Sequence, residues 1–172
     1  DKKRSHLLHL LRGELDRLLR GLPGLEAGQE HPGVAYRLID FATRSTLRPP
    51  LPDETTLVID AFGFPPEGEK SDASLLMDAY LKGWRKFISF GCIGQRYIGC
   101  GLGPGSDDVT VDVYGSSGDY LASGIDGMTI SVHGNAQDQL GQIIKGGKLV
   151  IYGDVGQTFL YGAKGGEIYV MG

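Results

Sequence analysis

Four short stretches of sequence decide the fold: VTVDVY (109–114), MTISVH (128–133), KLVIYG (148–153) and EIYVMG (167–172). Within each stretch apolar residues recur at every second position, which is the period of a β-strand with one buried face. Equivalent positions in neighbouring stretches keep one constant spacing, and two apolar columns follow it: Val111, Ile130, Leu149 and Ile168, and Val113, Val132, Ile151 and Val170. The sequence therefore contains an internal 19-residue repeat with one strand per coil.

Glycine follows the same period. The chain has 28 glycines in 172 residues, about 16% against a usual share of about 7%. Each strand of the repeat ends at a glycine, so we expect these residues to let the chain turn through backbone angles closed to other side chains. The structural turn glycines predicted in this way are Gly99, Gly115, Gly118, Gly127, Gly134, Gly146, Gly153, Gly156, Gly165 and Gly172.

The stacked coils of a parallel β-helix accommodate this repeat. A 19-residue coil is too short for a strand–helix–strand crossover, and a propeller blade needs roughly 40 residues. Coils stacked about 4.8 Å apart place identical columns above one another and join the apolar columns into one core. The sequence thus predicts a mainly β fold, a right-handed parallel β-helix with coils over 91–172, continuing beyond residue 172. Because an open end exposes core and strand edges, we expect a longer chain or another subunit to cover it.

The chain before these coils is predicted to form two further segments. Residues 1–54 are a helix and loop region, with an amphipathic helix over 5–20 that has Ser5 as its N-cap. The leucine-rich face of this helix either seals an end of the solenoid or docks a partner, and the docking residues would be Leu7, Leu11, Leu15 and Leu18. Residues 55–90 form a small β–α–β module, with strands over 55–62 and 86–90 and a helix over 71–84.

Charge and cysteine content exclude several classes of function. The 17 basic and 21 acidic residues give a net charge of −4, without the basic patch that nucleic acid or an anionic membrane requires. No apolar run approaches the roughly 20 residues of a membrane span. Cys92 and Cys100 are too few for a disulfide framework, so reduced thiols and a cytoplasmic location are expected.

Most motifs that could carry chemistry have a structural interpretation. The glycine-rich segment 99–105 is followed by a strand rather than a helix, which argues against a phosphate-binding loop. The two cysteines lack a clustered histidine and are interpreted as core or turn thiols, so no metal site is predicted. The four histidines are scattered without a nucleophile at readable spacing and are interpreted as surface residues: His6, His9, His31 and His133. No catalytic residue is predicted.

One polar group remains as a candidate ligand-binding or structural site. Gln95 and Arg96 lie where the β–α–β module meets the first coil. Asn135 shares a column with Ser116 and Asp154 just after the turn glycine, where a side chain can cap its own turn. An active or binding site made of Gln95, Arg96 and Asn135, in a groove between module and coils, is the alternative to a purely structural role.

Four glycine-bearing segments carry a resemblance to a known family: Gly94-Gln95-Arg96-Tyr97-Ile98-Gly99, Gly115-x-x-Gly118, Gly134-Asn135-Ala136-Gln137-Asp138 and Gly153-x-x-Gly156. They are similar to the GXGXG domain of glutamate synthase, the C-terminal right-handed β-helix of its large subunit. The resemblance extends to stand-alone glutamate-synthase-like proteins and to one component of formylmethanofuran dehydrogenase, which share this fold. The family's first, fourth and eighth glycines persist in part, since Ala122 and Leu160 fill the eighth place in two rows and Gln137 fills the fourth in another.

The resemblance implies an architectural part in a larger oxidoreductase. In glutamate synthase this domain joins the amidotransferase and flavin-bearing regions without supplying catalytic residues. It therefore implies a non-catalytic structural or assembly subunit of a glutamate-synthase-like complex, with flavin and iron–sulfur clusters held by partner subunits and no cofactor bound by this chain. The alternatives are an enzyme or ligand-binding subunit and a bare protein-interaction module that uses the N-terminal helix.

Overall fold

The computed structural model of the protein describes residues 2–23 and 35–172. These residues contain two helices, one short 3₁₀ helix (Arg44–Thr46) and seven strands, joined by turns and loops. In chain order they are α1 (Lys2–Arg20), β1 (Tyr36–Ile39), β2 (Thr56–Asp60), α2 (Asp72–Leu81), β3 (Lys86–Gln95), β4 (Thr110–Ser117), β5 (Thr129–His133), β6 (Lys148–Ile151) and β7 (Glu167–Val170).

The seven strands form one parallel sheet whose spatial order is the chain order, β1 to β7. Thr110 pairs with Thr129, Thr129 with Lys148 and Lys148 with Glu167, so the pairing keeps the 19-residue step of the sequence. Parallel neighbours in sequential order require the chain to return to the same side after every strand. The sheet is thus one face of a β-solenoid, which confirms the predicted fold class and the predicted repeat.

Apolar columns fill the inside of the solenoid. One column runs in register across six strands: Leu57, Phe87, Val111, Ile130, Leu149 and Ile168. Its first five members are at most 1% exposed. Each fully buried aliphatic or aromatic side chain contributes about 1.5–3 kcal/mol by leaving water. The predicted core columns are therefore the main source of the fold's stability.

The sheet extends further towards the N-terminus than the sequence predicts. Strand β1 lies inside the segment 1–54, for which the sequence predicts helix and loop, and it pairs in parallel with β2 (Tyr36 with Thr56). Strand β3 runs through the predicted boundary at residue 90 and bulges twice before it ends. The predicted β–α–β module is therefore built into the same parallel sheet as the coils, with α2 inserted in one connection.

Both helices differ from their predicted bounds. Helix α1 begins at Lys2, so Ser5 lies inside the helix and is not its N-cap. Helix α2 begins after Ser71, whose hydroxyl accepts a hydrogen bond from the Ser74 N–H at 3.2 Å, and it ends at Leu81 rather than at residue 84. Trp84 lies beyond the helix, where its indole N–H donates to the Arg48 carbonyl at 2.8 Å.

The predicted reason for the turn glycines is wrong at most of their positions. Only four of the ten, Gly99, Gly115, Gly127 and Gly172, have a left-handed φ. A Cβ atom on Gly134 would instead stand less than 3.0 Å from the carbonyl oxygen of Gly115 in the preceding coil. A Cβ on Gly153 would meet the carbonyl of Gly134 in the same way. These glycines are needed because the backbones of successive coils approach too closely for any side chain.

Left-handed backbone angles occur elsewhere in the coil and follow their own 19-residue columns. Tyr120, Gln139 and Thr158 form one such column, with φ of 62°, 58° and 57°. The eighth motif place forms another, with φ of 60°, 58° and 60° at Ala122, Gly141 and Leu160. The conformation therefore belongs to the position in the coil rather than to the residue type. Hydrogen bonds between coils hold it, for example from the Leu160 N–H to the Leu140 carbonyl at 2.9 Å.

Candidate functional site

Gln95 is a buried connector between two coils. Its side chain is 3% exposed. The amide oxygen accepts a hydrogen bond from the Ile93 N–H at 2.6 Å, and the amide nitrogen donates to the Ala61 carbonyl at 3.4 Å. Because both ends of the amide are engaged by backbone, Gln95 stabilises the bulged end of β3 and has no group directed to a ligand.

Arg96 joins the loop after β2 to the first regular coil. Its guanidinium forms ion pairs with Glu67 at 3.1 Å and with Asp119 at 3.2 Å, and its backbone N–H donates to the Pro66 carbonyl at 2.8 Å. The hydrogen bond to Glu67, followed by the charge of Asp119, raises the pKa of Arg96 above its ordinary value. Arg96 therefore links two segments at the protein surface through ion pairs with two carboxylates.

Asn135 belongs to a set of polar side chains that bond one coil to the next. The Asn135 Oδ1 accepts from the Asp154 N–H at 3.1 Å, so the predicted bond within its own turn is wrong. Asp119 accepts from the Asp138 N–H at 3.1 Å, and Asp138 accepts from the Gln157 N–H at 2.6 Å. Each of these bonds joins residues 19 apart, which is one coil. The parallel stacking places the side chain beside the next coil's N–H.

Gln95, Arg96 and Asn135 each make contacts of their own. Their partners are different groups in different coils. Cavities of about 460, 340, 190 and 160 Å³ in the described part of the chain are lined by other residues. The hypothesis of a shared polar site therefore gains no geometric support, and the three residues have structural contacts instead.

Helix α1 leaves three of its four predicted docking leucines exposed. Leu7, Leu11 and Leu18 are 57–60% exposed, whereas Leu15 is half-buried and faces the coils. Leu15 lines a cavity together with Tyr114 and residues of three further coils. The helix thus lies beside the outer face of the sheet. None of the helices among residues 2–23 and 35–172 is long and apolar enough to cross a membrane.

An aromatic column on the outer face of the sheet is not among the residues predicted from the sequence. Tyr114 stacks on His133 with ring centroids 4.3 Å apart, and His133 stacks on Tyr152 at 5.0 Å. The Nε2 atom of His133 lies 2.8 Å from the Oδ1 atom of Asp112. His133 is half-buried in this stack rather than a plain surface histidine, whereas His6 and His9 are exposed and His31 lies outside the described residues. The 19-residue spacing of Tyr114, His133 and Tyr152 is the signal that could have found the column.

Desolvation raises the pKa of two buried groups and one half-buried group far above its ordinary value. Burial raises the pKa of Asp72 to about 7, and its Oδ1 atom has no hydrogen-bond partner. Burial, with the charge of Asp72, raises the pKa of the Cys92 thiol to about 12, and burial raises that of Cys100 to about 11. Both cysteines are therefore protonated at neutral pH, and a thiol is a far weaker nucleophile and metal ligand than a thiolate. The described residues contain no cluster of three His, Cys, Asp or Glu that could hold a metal ion.

Comparison with known proteins places the repeat in a family. The profile of a protein family described as the GXGXG motif matches residues 86–172, which begin at β3 and include every strand of the 19-residue repeat. No curated protein and no solved structure matches the chain. The matched segment is half of the chain and is the part whose glycines keep the coils in contact. The chain belongs to the GXGXG motif family, that of the C-terminal domain of glutamate synthase.

Proposed function

We propose that this chain is a structural and assembly subunit of a glutamate-synthase-like flavin/iron–sulfur oxidoreductase complex. Flavin and the iron–sulfur clusters belong to partner subunits. The chain itself supplies a rigid solenoid that holds these partner subunits in place. Membership of the GXGXG family supports the link to glutamate synthase. The role as a scaffold rests on how the polar side chains of the coils are used.

The observation that carries the proposal is the engagement of these side chains within the solenoid. Gln95, Asn135, Asp119 and Asp138 each accept a hydrogen bond from a backbone N–H. A carboxylate or amide used in this way is held against the backbone and is poorly placed to move a proton or bind a substrate. The arrangement suits a body that must keep its shape while other chains perform the reaction.

The exposed leucines of α1 supply the proposed contact with a partner. An apolar side chain that is more than half exposed on an amphipathic helix gains free energy when a second surface covers it. Leu7, Leu11 and Leu18 lie within about one helical face. Leu15, the fourth predicted docking residue, faces the coils and is assigned instead to the packing of α1 on its own chain.

The proposal can be tested by co-expression with a glutamate-synthase-like flavin/iron–sulfur subunit. We expect the two chains to elute together in gel filtration with flavin absorbance. Replacing Leu7, Leu11 and Leu18 by Glu should release the partner, because three charges would enter an apolar contact. The matched control is Leu81→Glu, which changes a leucine that is 75% exposed on α2 and should leave the complex intact. A shift in the far-UV circular dichroism of the triple variant would reveal unfolding instead of lost docking.

Two results would overturn this function. The first is a chain that stays alone in the presence of the partner at micromolar concentrations of both. The second is ammonia-dependent glutamate formation by the isolated chain that is lost in Arg96→Ala, which would favour an enzyme with a site at the edge of the first coil.

A further inference from the structure

A groove runs between α1 and the outer face of the sheet. We call it the α1 groove; its walls are Arg12 and Leu15 of α1 and, from three successive coils, Tyr114, His133 and Tyr152. It consists of a cavity of about 340 Å³ and a smaller one of about 160 Å³. The two cavities share four lining residues, so they adjoin: Arg12, Leu15, Tyr114 and His133. The larger cavity has the volume of a site for a small organic molecule.

The walls of the larger cavity are mainly apolar and aromatic. Leu11, Leu15 and Met171 supply aliphatic and thioether surface, and the stack of Tyr114, His133 and Tyr152 supplies three ring systems. Aromatic rings contact other rings favourably at centroid distances of about 4.5–7 Å. Thioethers also contact aromatic rings favourably. The surface thus suits a planar apolar ligand better than a sugar or another polar molecule.

The charge in the larger cavity is positive. Arg12 is the one permanently charged side chain that lines it. Asp16 lines only the smaller cavity, and the carboxylate of Asp112 is engaged with His133 at 2.8 Å and lines neither. Among the described residues no carboxylate forms an ion pair with Arg12, whereas Arg17 on the same helix is paired with Glu14. A guanidinium without a carboxylate partner beside apolar walls favours an anionic group.

We propose that the α1 groove binds a flat aromatic anion, such as an aromatic carboxylate or sulfonate. The ring system lies against the aromatic stack and Leu15, and the anionic group contacts Arg12 in the larger cavity, away from Asp16. Leu11 borders both this groove and the exposed leucine face of α1, but Arg12, Leu15 and the aromatic stack are not part of that face. Binding in the groove therefore does not depend on whether the chain docks a flavin/iron–sulfur protein.

The experiment uses 1-anilinonaphthalene-8-sulfonate, a fluorescent aromatic anion, and the purified full chain. We expect saturable binding of one molecule per chain. Arg12→Gln and Tyr152→Ala should each weaken it about fivefold, which is the size expected for losing one partly exposed contact. Arg20→Gln, on the same helix but outside the groove, and Leu81→Ala should leave the affinity unchanged. Circular dichroism of each variant checks that the solenoid is folded, and both groove residues are exposed enough to be replaced without opening the core.

A second probe separates charge from apolar contact. N-phenyl-1-naphthylamine has the same rings without the sulfonate, so it should bind more weakly than the anion to the native chain. Its affinity should fall in Tyr152→Ala and stay unchanged in Arg12→Gln. The proposal is overturned if the anion binds without saturation, if both probes bind equally, or if the control variants lose as much affinity as the groove variants.

Discussion

Replacing Gly134 with alanine tests whether contact between coils is what the repeat glycines serve. The φ of Gly134 is not left-handed, so alanine can adopt its backbone angles. The added Cβ atom, however, would stand less than 3.0 Å from the carbonyl oxygen and carbon of Gly115. Those atoms belong to the backbone of the preceding coil and cannot turn away as a side chain would. The two coils must therefore separate locally, which strains the hydrogen bonds between them.

Two opposing contributions set the change in the free energy of unfolding that Gly134→Ala causes. Forcing an extra carbon into a well-packed contact costs about 1–3 kcal/mol. Exchanging glycine for alanine also stabilises the folded state by about 0.4–1 kcal/mol, because the unfolded chain becomes less flexible. A net loss of about 1–2 kcal/mol remains. For a chain of this length it lowers the melting temperature by roughly 3–6 °C, as followed by circular dichroism.

Gly146→Ala is the matched control for this prediction. Gly146 also lacks a left-handed φ, but the nearest atom to its Cβ position is the Asp126 carboxylate oxygen at 3.1 Å, which belongs to a side chain and can rotate. We expect its melting temperature to stay within about 2 °C of the native value, since such surface changes cost about 0.5 kcal/mol or less. Equal losses in both variants, or no loss in Gly134→Ala, would refute the steric explanation.

Two further predictions concern strained or buried residues. Thr158 is exposed and β-branched and has a left-handed φ of 57°. Because asparagine tolerates left-handed angles better, Thr158→Asn should stabilise the fold by about 1 kcal/mol. An unchanged or lower midpoint in urea unfolding would contradict this. Burial raises the pKa of Asp72 in the folded state from 3.8 to about 7. Between these two pH values the folded state therefore binds more protons than the unfolded state. The free energy of unfolding consequently falls as the pH rises through this window. The fall amounts to at most about 4 kcal/mol, and Asp72→Asn should abolish it, whereas Asp78→Asn should retain it.

The fold was predictable because a solenoid repeats its physical requirements along the chain. A strand with one buried face recurs at the 19-residue period, and the pairing of Thr110 with Thr129 has that same offset. Strand β1 is not predictable in this way, since it forms only one coil before the connection lengthens between β2 and β3, where Leu57 pairs with Phe87. A repeat that occurs once at irregular spacing leaves no column to detect.

The contacts of the candidate residues were far less accessible from sequence. Arg96 meets Glu67 and Asp119, which lie far before and after it in the chain, in segments of different structure. The α1 groove joins a helix near residue 12 to an aromatic column that begins at residue 114. Neither separation can be read from local periodicity. The aromatic column itself is visible in the sequence, but its environment depends on where α1 packs.

One mismatch in a glycine column shows how a longer side chain is accommodated beside another coil. Gln137 stands in the column of Gly118 and Gly156. A Cβ on Gly118 would lie less than 3.0 Å from the carbonyl of Gly94, so the coils are tightly apposed there. The amide nitrogen of Gln137 comes within 3.8 Å of the position that a Cβ on Gly94 would take, which places its side chain beside the glycines of earlier coils. The side chain of Gln137 thus reaches back to the backbone at Gly94, so a residue that breaks the glycine column in sequence still makes a contact between coils.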